Sequence, residues 1–115
     1  MQVPLIALSV ILAVVFAATA VPKLLGKMDD RMSHLGVSTG LTKVIGALEL
    51  AGVVGLVLGL YWAPAGIAAA VGLTILMIGA VTYHLRAKDP GNVVALPVAF
   101  AAASAAVALL HVLNG

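Results

Sequence analysis

The sequence predicts an all-α integral membrane four-helix bundle, with a short interfacial amphipathic segment between spans one and two. Three observations carry this. The chain is 63% hydrophobic and only 9% charged, where soluble domains average about 25% charged residues. Its mean hydropathy is +1.23. Its 115 residues hold four apolar runs, each near the roughly 20 residues a spanning helix needs. Almost nothing is left over for a soluble domain. Residues 1–115 therefore read as a single transmembrane domain, with spans at about 3–22, 41–61, 65–84 and 93–112.

The first run extends from Val3 to Val21 and is closed by Pro22 and Lys23. Ala18-Thr19-Ala20 resembles a small-residue cleavage site. A basic n-region is missing, and the run exceeds the roughly 7–15 apolar residues of a signal peptide, so it is expected to remain as a span. Pro22 is expected to distort the last turn and free a carbonyl near Lys23. Met28, Met32 and Leu35 recur at i, i+4 and i+7, with Asp29, Asp30 and Arg31 elsewhere around the wheel. That spacing predicts a short amphipathic helix stopped by Gly36.

The second span carries Glu49, the only glutamate of the chain. A carboxylate at membrane depth costs at least about 2 kcal/mol against lipid, so it is expected to face protein or water. Gly46, Gly52 and Gly59 share its side of the helix, and small residues there let a neighbouring backbone approach. Tyr61-Trp62 fits an aromatic anchor at the far interface, and Pro64 a tight turn. The third span places Gly72 and Gly79 seven residues apart and ends at Tyr83-His84-Leu85-Arg86. Asn92 is expected to cap the alanine-rich fourth span. His111, near that span's far end, is expected at the interface.

Charge sets the topology. The six basic residues are Lys23, Lys27, Arg31 and Lys43 around the first connection, and Arg86 and Lys88 in the third. The 61–64 turn and both ends of the chain have none. The positive-inside rule then puts both basic connections in the cytoplasm and both termini outside, in a bacterial inner (cytoplasmic) membrane. The absence of cysteine excludes disulfides and thiolate metal sites. Three scattered histidines argue against a metal centre, and nothing suggests a nucleic-acid partner.

Lys23, Glu49 and His84 converge at the level of the basic connections, with Arg86, His34, Asp89 and Asn92 able to ring the opening. These four, Lys23, Glu49, His84 and Arg86, are the candidate ligand-binding residues. They could relay protons or capture a polar head group. Each has a plainer reading beside it. Lys23 is also what a snorkelling interfacial lysine looks like. Glu49 could serve only to tie helices together, and His84 suits an interface.

At these positions the chain resembles the DoxX-like family of small four-helix membrane proteins. The matching features are Lys23-Leu24, Leu35-Gly36-Val37, Gly46-Ala47-Leu48-Glu49-Leu50-Ala51-Gly52, Leu58-Gly59, Pro64 and His84-Leu85-Arg86. The resemblance implies a four-helix bundle and a loose association with respiratory, thiosulfate–quinone oxidoreductase and oxidative-stress systems. The chain lacks the arginine that longer members often carry near the start of the first span.

Three functional readings are open, in this order. The first is an accessory or assembly subunit that packs Gly/Ala faces against itself or a larger membrane complex. The second is a binding protein or enzyme for a quinone or other lipid-like molecule, held at a Lys23/Glu49/His84 pocket. The third is a proton-coupled exporter, disfavoured because small multidrug transporters carry their glutamate in the first span. No cofactor is identified.

Overall fold

The computed structural model describes residues 2–114. Its helices are α1 (Gln2–Leu24), α2 (Asp29–His34), α3 (Thr39–Leu58), α4 (Ala63–Arg86) and α5 (Gly91–Asn114). All but α2 are long and apolar enough to cross a membrane. The molecule is 41 Å along its longest axis, enough to pass through the roughly 30 Å hydrocarbon layer with its interfaces. Outward-facing Val14, Val54, Ile78 and Leu109 are all exposed. A surface so rich in large apolar side chains requires lipid around it.

The long helices form a ring in which α1 packs on α3, α3 on α4, α4 on α5, and α5 on α1. Leu12, Phe16, Leu56, Leu73 and Val107 fill the centre, and the Phe16 and Phe100 rings meet at 5.9 Å between centroids. The face of α3 that Glu49 shares is split between two neighbours. Gly46 lies against α1, where an added Cβ would meet the Ala20 carbonyl and the Lys23 and Leu24 side chains. Gly52, Gly55 and Gly59 lie against Leu73, Ala69 and Gly66 of α4. Gly72 and Gly79 have nothing within 4 Å of where a Cβ would stand, so they pack against no other helix of this chain.

Local chemistry explains the helix ends. Ser38 caps α3, its hydroxyl accepting from the Leu41 amide at 3.1 Å. The helix stops at Leu58 rather than near Tyr61, because the backbone tightens into a turn where Gly59 meets Gly66; the Tyr61 and Trp62 amides both return to the Leu58 carbonyl. Pro64 sits in the first turn of α4, where its missing N–H costs nothing. Pro22 has no N–H to donate to the Ala18 carbonyl four residues back, while the carbonyls of Val21, Pro22 and Lys23 themselves accept from Leu25, Lys27 and Gly26. Asn92 is not a cap either. It is exposed inside the first turn of α5, and the Pro90 carbonyl receives the Val93 and Val94 amides.

The amphipathic segment is the six-residue α2, with Met32 buried. Gly26 and Gly36 bracket it with φ of 78° and 79°, values that glycine reaches without a Cβ clash. His111 departs most from expectation. It is 3% exposed, its ring lying over Gly66, whose missing side chain makes the room.

The α3–α4 seam gives a paired test. Gly66→Ala drives a methyl toward the Gly59 Cα and the His111 ring, and should destabilise by about 1–3 kcal/mol. Gly72→Ala meets nothing and should be neutral, or stabilise by about 0.5–1 kcal/mol. Thermal unfolding in detergent reads both; equal midpoints would contradict the close seam.

Candidate functional site

Glu49 lies about three turns into α3 and is 1% exposed. Both of its oxygens are engaged from α1. The Lys23 ammonium donates to Oε1 at 2.5 Å, and the Thr19 hydroxyl donates to Oε2 at 2.6 Å. Thr19 also lies 3.0 Å from the Phe16 carbonyl. A hydroxyl has one proton, and the shorter, charge-assisted bond to the carboxylate takes it. Thr19 and Lys23 are four residues apart, hence on one face of α1. Gly46 lets that face close on α3. The Lys23 side chain is 12% exposed, and two of its three N–H donors are free of Glu49.

A second cluster lies at the same end of the bundle. Asp89, in the α4–α5 connection, accepts from His84 Nδ1 at 2.6 Å and from His34 Nε2 at 2.9 Å. An ionised carboxylate only accepts, so each facing ring nitrogen carries a proton. Hydrogen bonds from His84 and then His34 hold the Asp89 carboxyl below its ordinary value of 3.8. The pair of bonds joins two connections, because His34 ends α2 in the first connection and His84 lies in the last turn of α4. Both basic connections therefore lie at one end of the bundle, clasped together.

Between the two clusters is a cavity of about 1040 Å³. Thr19 and Lys23 of α1 line its wall, α2 with Met32 and His34 lies over its polar end, and Tyr83, His84 and Asp89 line the far side. Its deeper part is apolar, formed by Leu48, Ile75, Leu76, Met77 and Leu96. At about 1000 Å³ it is at the upper end of ligand-pocket volumes.

Of the residues singled out from sequence, Lys23 and Glu49 are bonded directly. His84 shares the cavity with Lys23 but bonds Asp89 rather than Glu49. Arg86 is exposed and lies outside the cavity lining. It follows His84 by two residues, which turns it about 200° around the helix. Thr19 was missed by sequence reasoning, although its position one turn before Lys23 was the available signal. Among the described residues no group of three or more His, Asp or Glu is placed to hold a metal ion.

Long apolar helices with a paired charge buried between them define a small multi-pass membrane protein. Residues 7–107 match the DoxX-like family, and the chain belongs to it. No curated protein and no solved structure matches the chain.

Two outcomes test the clusters. Glu49→Gln leaves the Lys23 charge without its partner, and should cost about 2–3 kcal/mol; snorkelling keeps this below the ~3–5 kcal/mol of fully buried pairs. Lys23→Met added to Glu49→Gln should recover part of the loss, and strictly additive losses would contradict the pairing. For Asp89, a lowered pKa means that its contribution is complete above 3.8 and fades as pH falls through the folded value. Asp89→Asn should therefore flatten the stability profile in the acid range, and an unaltered profile would show that the clasp adds nothing.

Proposed function

We propose that the protein binds an amphipathic small molecule within the membrane, its polar head near Lys23 and its apolar part among α3, α4 and α5. The cavity carries this reading. It joins a lysine with unspent donors to an apolar interior, and it is too large to be a packing defect. Glu49 then has two tasks: it gives the Lys23 ammonium a partner at depth and fixes it at the cavity wall. Quinones fall within this ligand class, having hydrogen-bond-accepting heads and apolar tails, which agrees with the redox association that the family resemblance implies.

The accessory-subunit reading, ranked first from sequence, has its own support. Ala51, Gly55, Ala65, Ala68 and Gly72 line an outward groove between α3 and α4, and small residues of this kind suit helix association. The cavity moves ligand binding ahead of it.

Mass spectrometry of the protein purified in mild detergent separates the two. Ligand binding expects a lipid-like molecule that co-elutes with wild type and is lost from Lys23→Met. A stoichiometric protein with no small molecule in either sample would favour the subunit reading and overturn ours.

For placement, the charge distribution supports an inner-membrane protein with its basic connections in the cytoplasm. The chain has no cysteine, so single cysteines report cleanly. Ser33→Cys should be protected from a membrane-impermeant maleimide in intact cells, and Tyr61→Cys labelled. The reverse pattern would invert the topology.

A further inference from the structure

The cavity has a side wall that is incomplete. Along the α3–α4 seam, the half of the bundle away from the basic connections is sealed by Gly52 on Leu73, Gly55 on Ala69 and Gly59 on Gly66. Toward the connections no such close approach is seen at the next glycine of α4 on the cavity side. Gly79 has nothing within 4 Å of its Cβ position. Val44, Leu48 and Ile75 line the cavity, yet are 52%, 53% and 65% exposed. A side chain can do both only at an opening. This opening faces laterally, at a depth where the surroundings are hydrocarbon.

The end of the cavity is treated differently. There α2 lies across it, and His34 and His84 meet on Asp89. The polar end is partly covered by α2, with His34 lining the cavity there while its side chain is 60% exposed, and the apolar flank is open. Polarity also runs lengthwise, from Lys23, His34, His84 and Asp89 at the connection end to Leu76 and Met77 deeper in. A lipid in the adjoining leaflet has the same polarity, with its head at the interface and its tail toward the midplane.

We propose that the gap between α3 and α4 is a lateral portal through which a single-tailed amphiphile with an uncharged, hydrogen-bond-accepting head slides in from the adjoining leaflet without turning over. This deepens the ligand-binding reading above and rests on it. The head class follows from the charges. Lys23 is balanced by Glu49, Asp89 is held by two histidines, and Asp30 stands beside Arg31 in the lining. An anionic head would have to compete with Glu49 for Lys23, and a cationic head would face the lysine. An alcohol, ester or ketone oxygen takes the spare Lys23 donors without disturbing either pair.

The experiment places the full chain in phosphatidylcholine vesicles with a hexadecanol that carries a photoactivatable diazirine at mid-chain. Illumination is expected to label peptides containing Val44–Leu48 and Ile75–Ala80, and excess hexadecanol should suppress that labelling at least fivefold. Palmitate should compete at least tenfold less well. Gly79→Leu, which fills open space, and separately Leu48→Trp, which narrows the opposite lip, should each lower the suppressible labelling at least fivefold while keeping wild-type thermal stability. If both folded variants label as wild type does, the portal is overturned and the ligand reading survives. If palmitate competes better than hexadecanol, the uncharged-head assignment is overturned. Absence of suppressible labelling in wild type with either competitor would overturn the ligand reading together with the portal.

Discussion

The contact between Lys23 and Glu49 governs how this bundle is put together. Neither charge is tolerable alone inside a bilayer, and each is satisfied only by the other helix. Joining them sets the separation and rotation of α1 against α3, which fixes where Thr19 can donate and why Gly46 must lack a side chain. A membrane bundle gets little net drive from burying apolar surface, because lipid tails are as apolar as leucine. Orientation here is left to a few polar bonds and to how closely glycines permit backbones to approach. The pair supplies the first and the α3–α4 seam the second.

These two devices act at different levels. Gly52, Gly55 and Gly59 draw α3 onto α4 in the half away from the basic connections, while the ion pair holds α3 to α1 at its middle. The remaining half of α3, toward the connections, carries no such glycine seam to α4, which leaves a gap there. The cavity is that gap on the polar side. It is a product of the architecture rather than of any single cavity-lining residue, and its polar wall comes from the same bonds that create it.

Much of this was legible in the sequence. Four apolar runs gave the helices, and Glu49 announced a buried partner because a lone carboxylate in a span needs one. The amphipathic spacing of Met28 and Met32 gave α2. What was not legible depended on rotation between helices. His111 read as interfacial because it stands near a helix end, but Gly66, 45 residues earlier in the chain, opens a space that takes it inside. Gly72 and Gly79 looked like packing glycines by their spacing, yet stand beside open space, Gly72 in the outward groove and Gly79 in the cavity lining. Arg86 and His84 looked like one cluster in sequence and fall on different sides of α4. Thr19 could have been found by reading one turn back from Lys23, and was obscured by its place in a sequence that resembled a cleavage site.

The clasp between His34 and Asp89 joins residues 55 positions apart, whereas Lys23 and Glu49 are separated by only 26. During synthesis, the ion pair can form once the second span has entered the membrane. The clasp has to wait for the third span and the connection beyond it. A nascent chain therefore passes through a stage in which its most costly charge is already neutralised but α2 rests on α3 alone. The protein acquires its buried charge pair early and its chamber late, because α4 and α5 supply the remaining walls, and any factor that attends its biogenesis would first meet α1 and α3 already joined.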